Sequence, residues 1–324
     1  MRLLLVELSR FRSRRAIALM LLAAAILTAV LAATTIWETR PVSAQDLANA
    51  QALADREAQQ PWVRRDLRRC ERNPERFAGQ AAAVEDCDQM IVPQPEWFMQ
   101  RSSLSLAEVQ GETGIAVVMI VSALMIIVGT TFAGADWASG SMSNQILFEP
   151  RRPKVWLAKG AAVFLATLVT AAVIVAAFWT TLYLVAESRG ISTGATIQEN
   201  LRWVAGRGVL LAALGAMGGY ALTMLVRHTV GTLAVMFAYA VGGEALIASL
   251  PMAGAGRWSL ANNVFAWLYD GHEYYDSSLP CSPQGAMCDQ MASLTQADGV
   301  TYLGPLLLVV VLLSAFFFRR RDIP

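Results

Sequence analysis

The chain has 324 residues, of which 55% are hydrophobic and only 16% are charged. This balance is too apolar for an ordinary soluble domain and indicates a membrane protein, with the lipid bilayer as its environment. The formal net charge of +1 gives no overall electrostatic argument for nucleic-acid binding, so we expect no nucleic-acid partner.

Six segments are long and apolar enough to cross a bilayer as helices, which takes about 20 residues. They are residues 16–36, 114–133, 160–186, 208–226, 229–250 and 303–318. A short connection containing Arg227 and His228 separates the fourth from the fifth, which predicts a tight hairpin at a membrane surface. The predicted fold class is therefore all-α, a polytopic membrane protein with six transmembrane helices.

The N-terminal segment, residues 1–15, alternates leucines with arginines. On a helix, one face would carry Leu4, Leu5, Leu8 and Phe11. Outside that face would lie Arg10, Arg12 and Arg14. The pattern predicts an interfacial amphipathic helix, with a simple cationic flank of the first span as the alternative. The first apolar run, about 21 residues, exceeds the usual ~7–15 of a signal peptide, so we expect it to stay as a span despite the cleavage-like sequence at 42–44.

Residues 38–112 are predicted to form a small helical extracellular domain. Ser43, with Asp46 three residues later, has the form of a helix capping box, and the apolar spacing after it is helical. Two of the four cysteines, Cys70 and Cys87, lie in this segment. We expect a disulfide to close the domain, although four cysteines allow three pairings and the sequence does not choose among them.

The segment 134–159 connects the second and third spans. Asp136 and Trp137 are predicted to end the second span at the membrane interface, and Gly140 to break the helix. Either Ser141 or Ser143 can cap a new two-turn helix. The apolar side chains that this helix would expose are Met142, Ile146, and Leu147 or Phe148.

Proline and cations follow this short helix. Pro150 is predicted to stop it, because a residue before proline, here Glu149, disfavours the helical conformation. Three cations are expected to hold the chain at an anionic membrane surface: Arg151, Arg152 and Lys154. Lys159 is expected to reach back to the interface from the start of the third span.

The later spans hold glycines and one carboxylate. Gly215 and Gly219 have the spacing of closely packed membrane helices, either within the bundle or at a dimer face. Glu244 lies inside the fifth span, where an ionisable side chain indicates function by default. A place on a transport pathway and a structural role, such as capping a neighbouring helix, are both compatible with its position.

Outside the spans, residues 187–207 are expected to form an outer loop and residues 319–324 a short tail. Residues 251–302 are predicted to form an outer re-entrant segment followed by a loop closed by a Cys281–Cys288 disulfide. A metal site is the alternative use of the cysteines. Only His272 lies nearby as a further ligand, so we expect no metal.

Cations and cysteines predict the orientation. On the side that holds both termini there are thirteen cations and four acids, and an excess of arginine and lysine in short loops marks the cytoplasmic side. All four cysteines lie on the other side, and disulfides persist outside the cytosol. We expect a multi-pass protein of the plasma membrane with both termini in the cytoplasm.

Motifs for catalysis are absent from the sequence. There is no G-x-x-x-x-G-K-[ST] loop for ATP and no H-E-x-x-H for a metal, and no local nucleophile motif. We therefore expect no enzyme activity, no catalytic residues and no cofactor in this chain.

The connecting segment resembles the cytoplasmic coupling segment of ABC exporter permeases of the ABC-2 type. The matching positions are Asp136, Trp137, Gly140, Ser141, Leu147, Pro150, Arg152 and Lys159. The six spans, the N-terminal helix and the re-entrant outer segment extend the resemblance over nearly the whole chain. The chain departs from the family where aspartate replaces the commoner glutamate at 136 and where Pro153 stands in place of arginine.

The resemblance implies a mechanism. A separate ATPase subunit, which binds ATP and Mg²⁺, would dock against the 141–149 helix and move it during ATP hydrolysis. A second permease chain, identical or related, would complete a pathway for an amphiphilic substrate such as a drug, antibiotic or lipid. The alternative is a membrane scaffold or sensor that docks an ATPase without moving substrate.

Overall fold

A computed structural model describes residues 2–73, 86–99, 103–191, 193–250, 252–276, 279 and 290–320. The chain divides into two compact units, residues 33–105 and the rest. The helices are α1 (Arg2–Ser13), α2 (Arg15–Glu38), α3 (Ala44–Ala58), α4 (Pro61–Arg72), α5 (Asp86–Ile91), α6 (Leu106–Ala138), α7 (Ser141–Phe148), α8 (Arg152–Ser188), α9 (Ala195–Val226), α10 (Thr229–Ser249), α11 (Leu260–Tyr269) and α12 (Gln296–Arg320).

Six of these helices are long and apolar enough to span a membrane, which confirms the predicted number of spans. They are α2, α6, α8, α9, α10 and α12. The predicted hairpin between α9 and α10 is also present. Arg227 adopts a left-handed conformation there (φ 64°), and His228 caps α10 by accepting a hydrogen bond from the Gly231 N–H at 3.1 Å.

Four spans, α6, α8, α9 and α12, begin earlier than the hydropathy indicated. Helix α9 starts at Ala195, so most of the predicted outer loop 187–207 is helical. Its first turns are polar, and its fourth turn contacts the end of α11, where Arg207 Nη2 lies 3.6 Å from Asp270 Oδ2. Helix α6 starts at Leu106 and passes through a π-helical stretch, Gln110–Gly114. Helix α8 starts at Arg152, eight residues before the predicted third span, because Pro153 fits the first turn of a helix.

The segment 251–302 is less uniform than predicted. A 3₁₀ turn, Ala255–Trp258, leads into α11, and two short strands follow, β1 (His272–Tyr275) and β2 (Met291–Leu294). The strands pair antiparallel, with His272 opposite Leu294. Apart from this hairpin, the regular secondary structure of the described residues is therefore all helical. Helix α12 then begins at Gln296, not at 303, because a second capping box forms between Thr295 and Asp298.

Glycines bring α6 and α9 together. A Cβ on Gly129 of α6 would collide with the Ala216 carbonyl, and a Cβ on Gly215 or Gly219 would meet Ile126 at 2.9 Å. Both glycines singled out in the sequence therefore serve packing within the bundle. Such close approach is how membrane helices associate without a hydrophobic driving force.

The smaller unit contains the predicted capping box and a disulfide. Ser43 Oγ accepts from the Asp46 N–H at 3.2 Å, and Asp46 Oδ2 accepts from the Ser43 N–H at 3.1 Å. The Cys70–Cys87 bond joins α4 to α5, which confirms that expectation. Cys281 and Cys288 lie outside the described residues.

Candidate functional site

Charged side chains and one glutamine come together, buried or half-buried, where α1, α6, α7 and α8 meet. We call this group the charged cluster; it consists of Glu7, Arg14, Asp136, Gln145 and Lys159. The Lys159 ammonium donates to Glu7 Oε2 at 2.9 Å and also to Asp136 Oδ2. All three of these side chains are fully buried. Such burial is tolerated only when each charge is paired.

Arg14 completes the charge balance. Its guanidinium donates to Asp136 Oδ1 and, at 2.6 Å, to the Phe132 carbonyl oxygen. Its Cζ lies 4.8 Å from the centre of the Phe132 ring, and the Lys159 ammonium lies 5.2 Å from the same ring. Arg14 and Lys159 are thus both paired with carboxylates and both lie near one aromatic ring, which adds cation–π attraction to the ion pairs.

Two hydrogen bonds attach α7 to the two carboxylates of the charged cluster. In its first turn, the Ser141 hydroxyl donates to Asp136 Oδ1 at 2.8 Å. In its second turn, the Gln145 amide donates to Glu7 Oε1. The other end of that amide accepts from Arg10 Nη1 at 3.2 Å. Both turns of this eight-residue helix are therefore held by groups that are themselves ion-paired.

The outer face of α7 is apolar and exposed. Leu147 is 81% exposed and Phe148 is 91% exposed, while Ile146 is half-buried. Met142, which the sequence placed on the exposed face, is instead fully buried. The inward face of α7 is set by its contacts, because Ser141 and Gln145 are bonded to Asp136 and Glu7, and Met142 lies next to Ser141.

Gly140, not a serine, lies at the N-cap of α7. It adopts a left-handed conformation (φ 68°) and makes no side-chain cap, so the predicted capping by Ser141 or Ser143 is wrong. Ser141 uses its hydroxyl in the charged cluster instead. A non-glycine residue would be strained at this φ, which explains why glycine ends the turn between α6 and α7.

Lys159 does not reach out to the interface as predicted. Because α8 begins at Arg152, Lys159 lies two turns inside the helix and faces α1 and α6. The end of α7 does follow the prediction: Glu149 is extended (φ −128°, ψ 92°) before Pro150. Arg151 then forms the N-cap of α8.

Trp137 packs between two other elements at this end of the bundle. Its ring meets the Phe318 ring of α12 edge to face at 6.4 Å, and the Arg227 guanidinium lies 4.8 Å above it.

A second set of contacts, around Trp156, lies next to the charged cluster. The Trp156 indole donates to Ser314 Oγ at 3.1 Å, and the buried Tyr220 hydroxyl donates to the Trp156 carbonyl at 2.7 Å. Helix α8 is thereby bonded to both α9 and α12.

Glu244 caps a neighbouring helix. Its Oε1 accepts from Ser259 Oγ at 3.1 Å and from the Ala261 N–H at 2.8 Å, at the N-terminus of α11. This geometry favours the structural role of Glu244 over a place on a transport pathway.

At the other end of α11, burial raises the pKa of Tyr269 to about 12, so its hydroxyl remains a donor to the Gln110 carbonyl at 3.0 Å.

Three members of the charged cluster were missed from sequence: Glu7, Arg14 and Gln145. A signal was present for two of them. Leu4, Glu7 and Phe11 follow helical spacing along α1, and Arg14, the residue after its end, continues the same spacing. Arg14 was assigned to the polar face, and Glu7 was not singled out although it is the only acid in residues 1–15. Gln145 carries no comparable signal, because its partner is 138 residues away.

Among the described residues, no group of three or more His, Cys, Asp and Glu is placed to hold a metal ion. The two carboxylates of the charged cluster are occupied by cations of the chain itself. No protein-family model, no curated protein and no solved structure matches this chain.

Proposed function

We propose that the protein is the membrane subunit of an ATP-driven exporter and that a separate ATPase subunit docks against α7. One observation carries this proposal: α7 is bonded to the charged cluster on one face and exposes Leu147 and Phe148 on the other. Two large, adjacent apolar side chains that are almost fully exposed are typical of an interaction surface. The surface is small and lies at the end of the helix bundle. The hydrogen bonds from Ser141 and Gln145 to Asp136 and Glu7 hold it in place.

The charged cluster explains how force on α7 would reach the spans. Gln145 and Ser141 connect it to Glu7 and Asp136, and these connect to Lys159 of α8. Buried ion pairs have strict geometry, so displacement of α7 would move α1, α6 and α8 together and not merely bend a loop. This linkage is what a transmission element between an ATPase and transmembrane helices requires.

ATP and Mg²⁺ would bind to the ATPase subunit, and this chain would contribute no catalytic residue. With the expected orientation, α7 and both termini face the cytoplasm, where ATP is available. A second copy or a related permease chain would complete the translocation pathway at the plasma membrane. The substrate would be amphiphilic. A scaffold or sensor that docks an ATPase is the alternative, since it would use the same surface.

Docking is tested by purifying the native complex from membranes and quantifying the associated ATPase. Leu147→Ser/Phe148→Ser should weaken the association at least tenfold, because truncating a central apolar contact costs about 2 kcal/mol or more. Asn144→Ser, an exposed change on the same helix, is the matched control. Absence of any ATPase from the wild-type complex would refute the proposal.

Coupling is tested separately in lipid nanodiscs. Gln145→Ala should leave the ATPase bound but abolish stimulation of ATP hydrolysis by substrate, because α7 loses its bond to Glu7. If the wild-type complex hydrolyses ATP but no amphiphilic substrate changes the rate, the scaffold or sensor alternative is favoured.

A further inference from the structure

A depression lined mainly by cations lies where the start of α8 meets the end of α12. Its lining residues are Pro150, Arg151, Arg152, Pro153, Lys154 and Arg319. Four of the six are cations and none is an acid. Within the described residues, no carboxylate forms an ion pair with Arg151, Lys154 or Arg319. Converging cations repel one another, so this depression favours an anionic ligand.

The depression is built by two helices that are distant in sequence. Arg152 Nη1 donates to the Arg319 carbonyl at 3.5 Å, across the seam between α8 and α12. One helical turn further along the same seam, Trp156 is buried and bonded to Ser314. The positions of the cations are thus set by packed helices and not by a flexible tail.

Apolar side chains are exposed directly beside the cations. Leu157, one turn after Lys154, is 61% exposed, and Phe316, one turn before Arg319, is 46% exposed. The Arg320 guanidinium lies 4.4 Å above the Phe316 ring. A soluble phosphate would use only the cations. A ligand that also covers Leu157 and Phe316 has a charged head and an apolar tail.

We propose that this depression binds the headgroup of an anionic phospholipid, with the acyl chains along the exposed faces of α8 and α12. Basic pockets between helices at a membrane surface are a general solution for such headgroups. The lipid would bridge α8 and α12 beside α7. This proposal does not depend on the proposed function, because it requires neither an ATPase nor transport.

The test uses the purified full chain in detergent and native mass spectrometry. Dioleoyl phosphatidylglycerol should bind as one or two retained molecules, and dioleoyl phosphatidylcholine should not. Arg151→Gln/Lys154→Gln should weaken phosphatidylglycerol binding by about 25-fold, from about fivefold for each cation removed near an anionic lipid. Arg12→Gln/Arg15→Gln removes two exposed cations outside the depression and should leave binding unchanged.

Three results would overturn the proposal. Equal weakening by the two double variants would show unspecific attraction to positive charge. Equal binding of the two lipids would show that the headgroup charge is not recognised. Displacement of phosphatidylglycerol by millimolar inorganic phosphate would identify a soluble phosphate, and not a lipid, as the ligand.

Discussion

Replacing Lys159 by methionine tests whether the charged cluster is an ion-pair network. The substitution keeps an unbranched apolar side chain of nearly the same length but leaves two buried carboxylates with fewer partners. Asp136 retains Arg14 and the Ser141 hydroxyl. Glu7 retains the Gln145 amide and only a long ion pair, since Arg10 Nη1 is 3.4 Å from Glu7 Oε1. Glu7 therefore loses more of its ion pairing than Asp136 does.

Removing one member of a buried ion pair typically lowers the free energy of unfolding by about 3–5 kcal/mol. We expect Lys159→Met to fall in this range. In the double variant Glu7→Gln/Lys159→Met, the remaining pair of Asp136 and Arg14 is neutral and no carboxylate is left without a cation. We expect this variant to recover about 1–3 kcal/mol relative to the single variant, the usual size of coupling between contacting groups.

The assay is reversible unfolding by sodium dodecyl sulfate in mixed micelles, followed by tryptophan fluorescence. Arg12→Met is the matched control, because Arg12 is a neighbouring cation whose side chain is exposed; its effect should be within about 0.5 kcal/mol. Unfolding of Lys159→Met at the wild-type detergent fraction, or a double variant less stable than the single one, would refute the reasoning.

Three further predictions follow from other contacts. Gly129→Ala should lower the free energy of unfolding by about 1–3 kcal/mol through overpacking, while Gly206→Ala, with no atom near its added Cβ, should be neutral or slightly stabilising in the same unfolding assay. Replacing Cys70 and Cys87 by alanine should destabilise the smaller unit by about 2–4 kcal/mol and increase its cleavage in limited proteolysis; unchanged cleavage would contradict this. Glu244→Gln should preserve stability and, under the proposed function, export, because an amide oxygen still accepts both hydrogen bonds, whereas Glu244→Ala should cost about 0.5–2 kcal/mol; loss of export by the glutamine variant of an exporting complex at normal expression would contradict the structural role and favour the pathway.

Local signals in the sequence predicted local structure. Six apolar runs correspond to the six helices that are long and apolar enough to span a membrane, because helix length must match bilayer thickness. The last run, residues 303–318, is short for this, and its helix reaches 25 residues only because it begins at Gln296. Proline after Glu149 ended α7, and serine with an acid three residues later capped α3. The same capping pattern at Thr295 and Asp298 was overlooked, and with it the first two turns of α12.

The arrangement of the charged cluster depends on contacts between residues that are far apart in the sequence. The sequence identified Asp136 and Lys159 but assigned them to the interface, since a single charged side chain near the end of a span is expected to reach water. Their burial requires Glu7 and Arg14, which come from the N-terminal part of the chain, more than a hundred residues away.

The sequence by itself determined that the chain is a helical membrane protein, that six helices are long enough to span a bilayer, and where the short helix between the second and third of them ends. These properties follow from hydropathy, proline and capping, which act over a few residues. Tertiary structure decided which side chains of that helix are exposed, that Lys159 is buried and that Glu244 caps α11. Each of these outcomes depends on which charge or helix end packs opposite, and packing is a property of the folded chain.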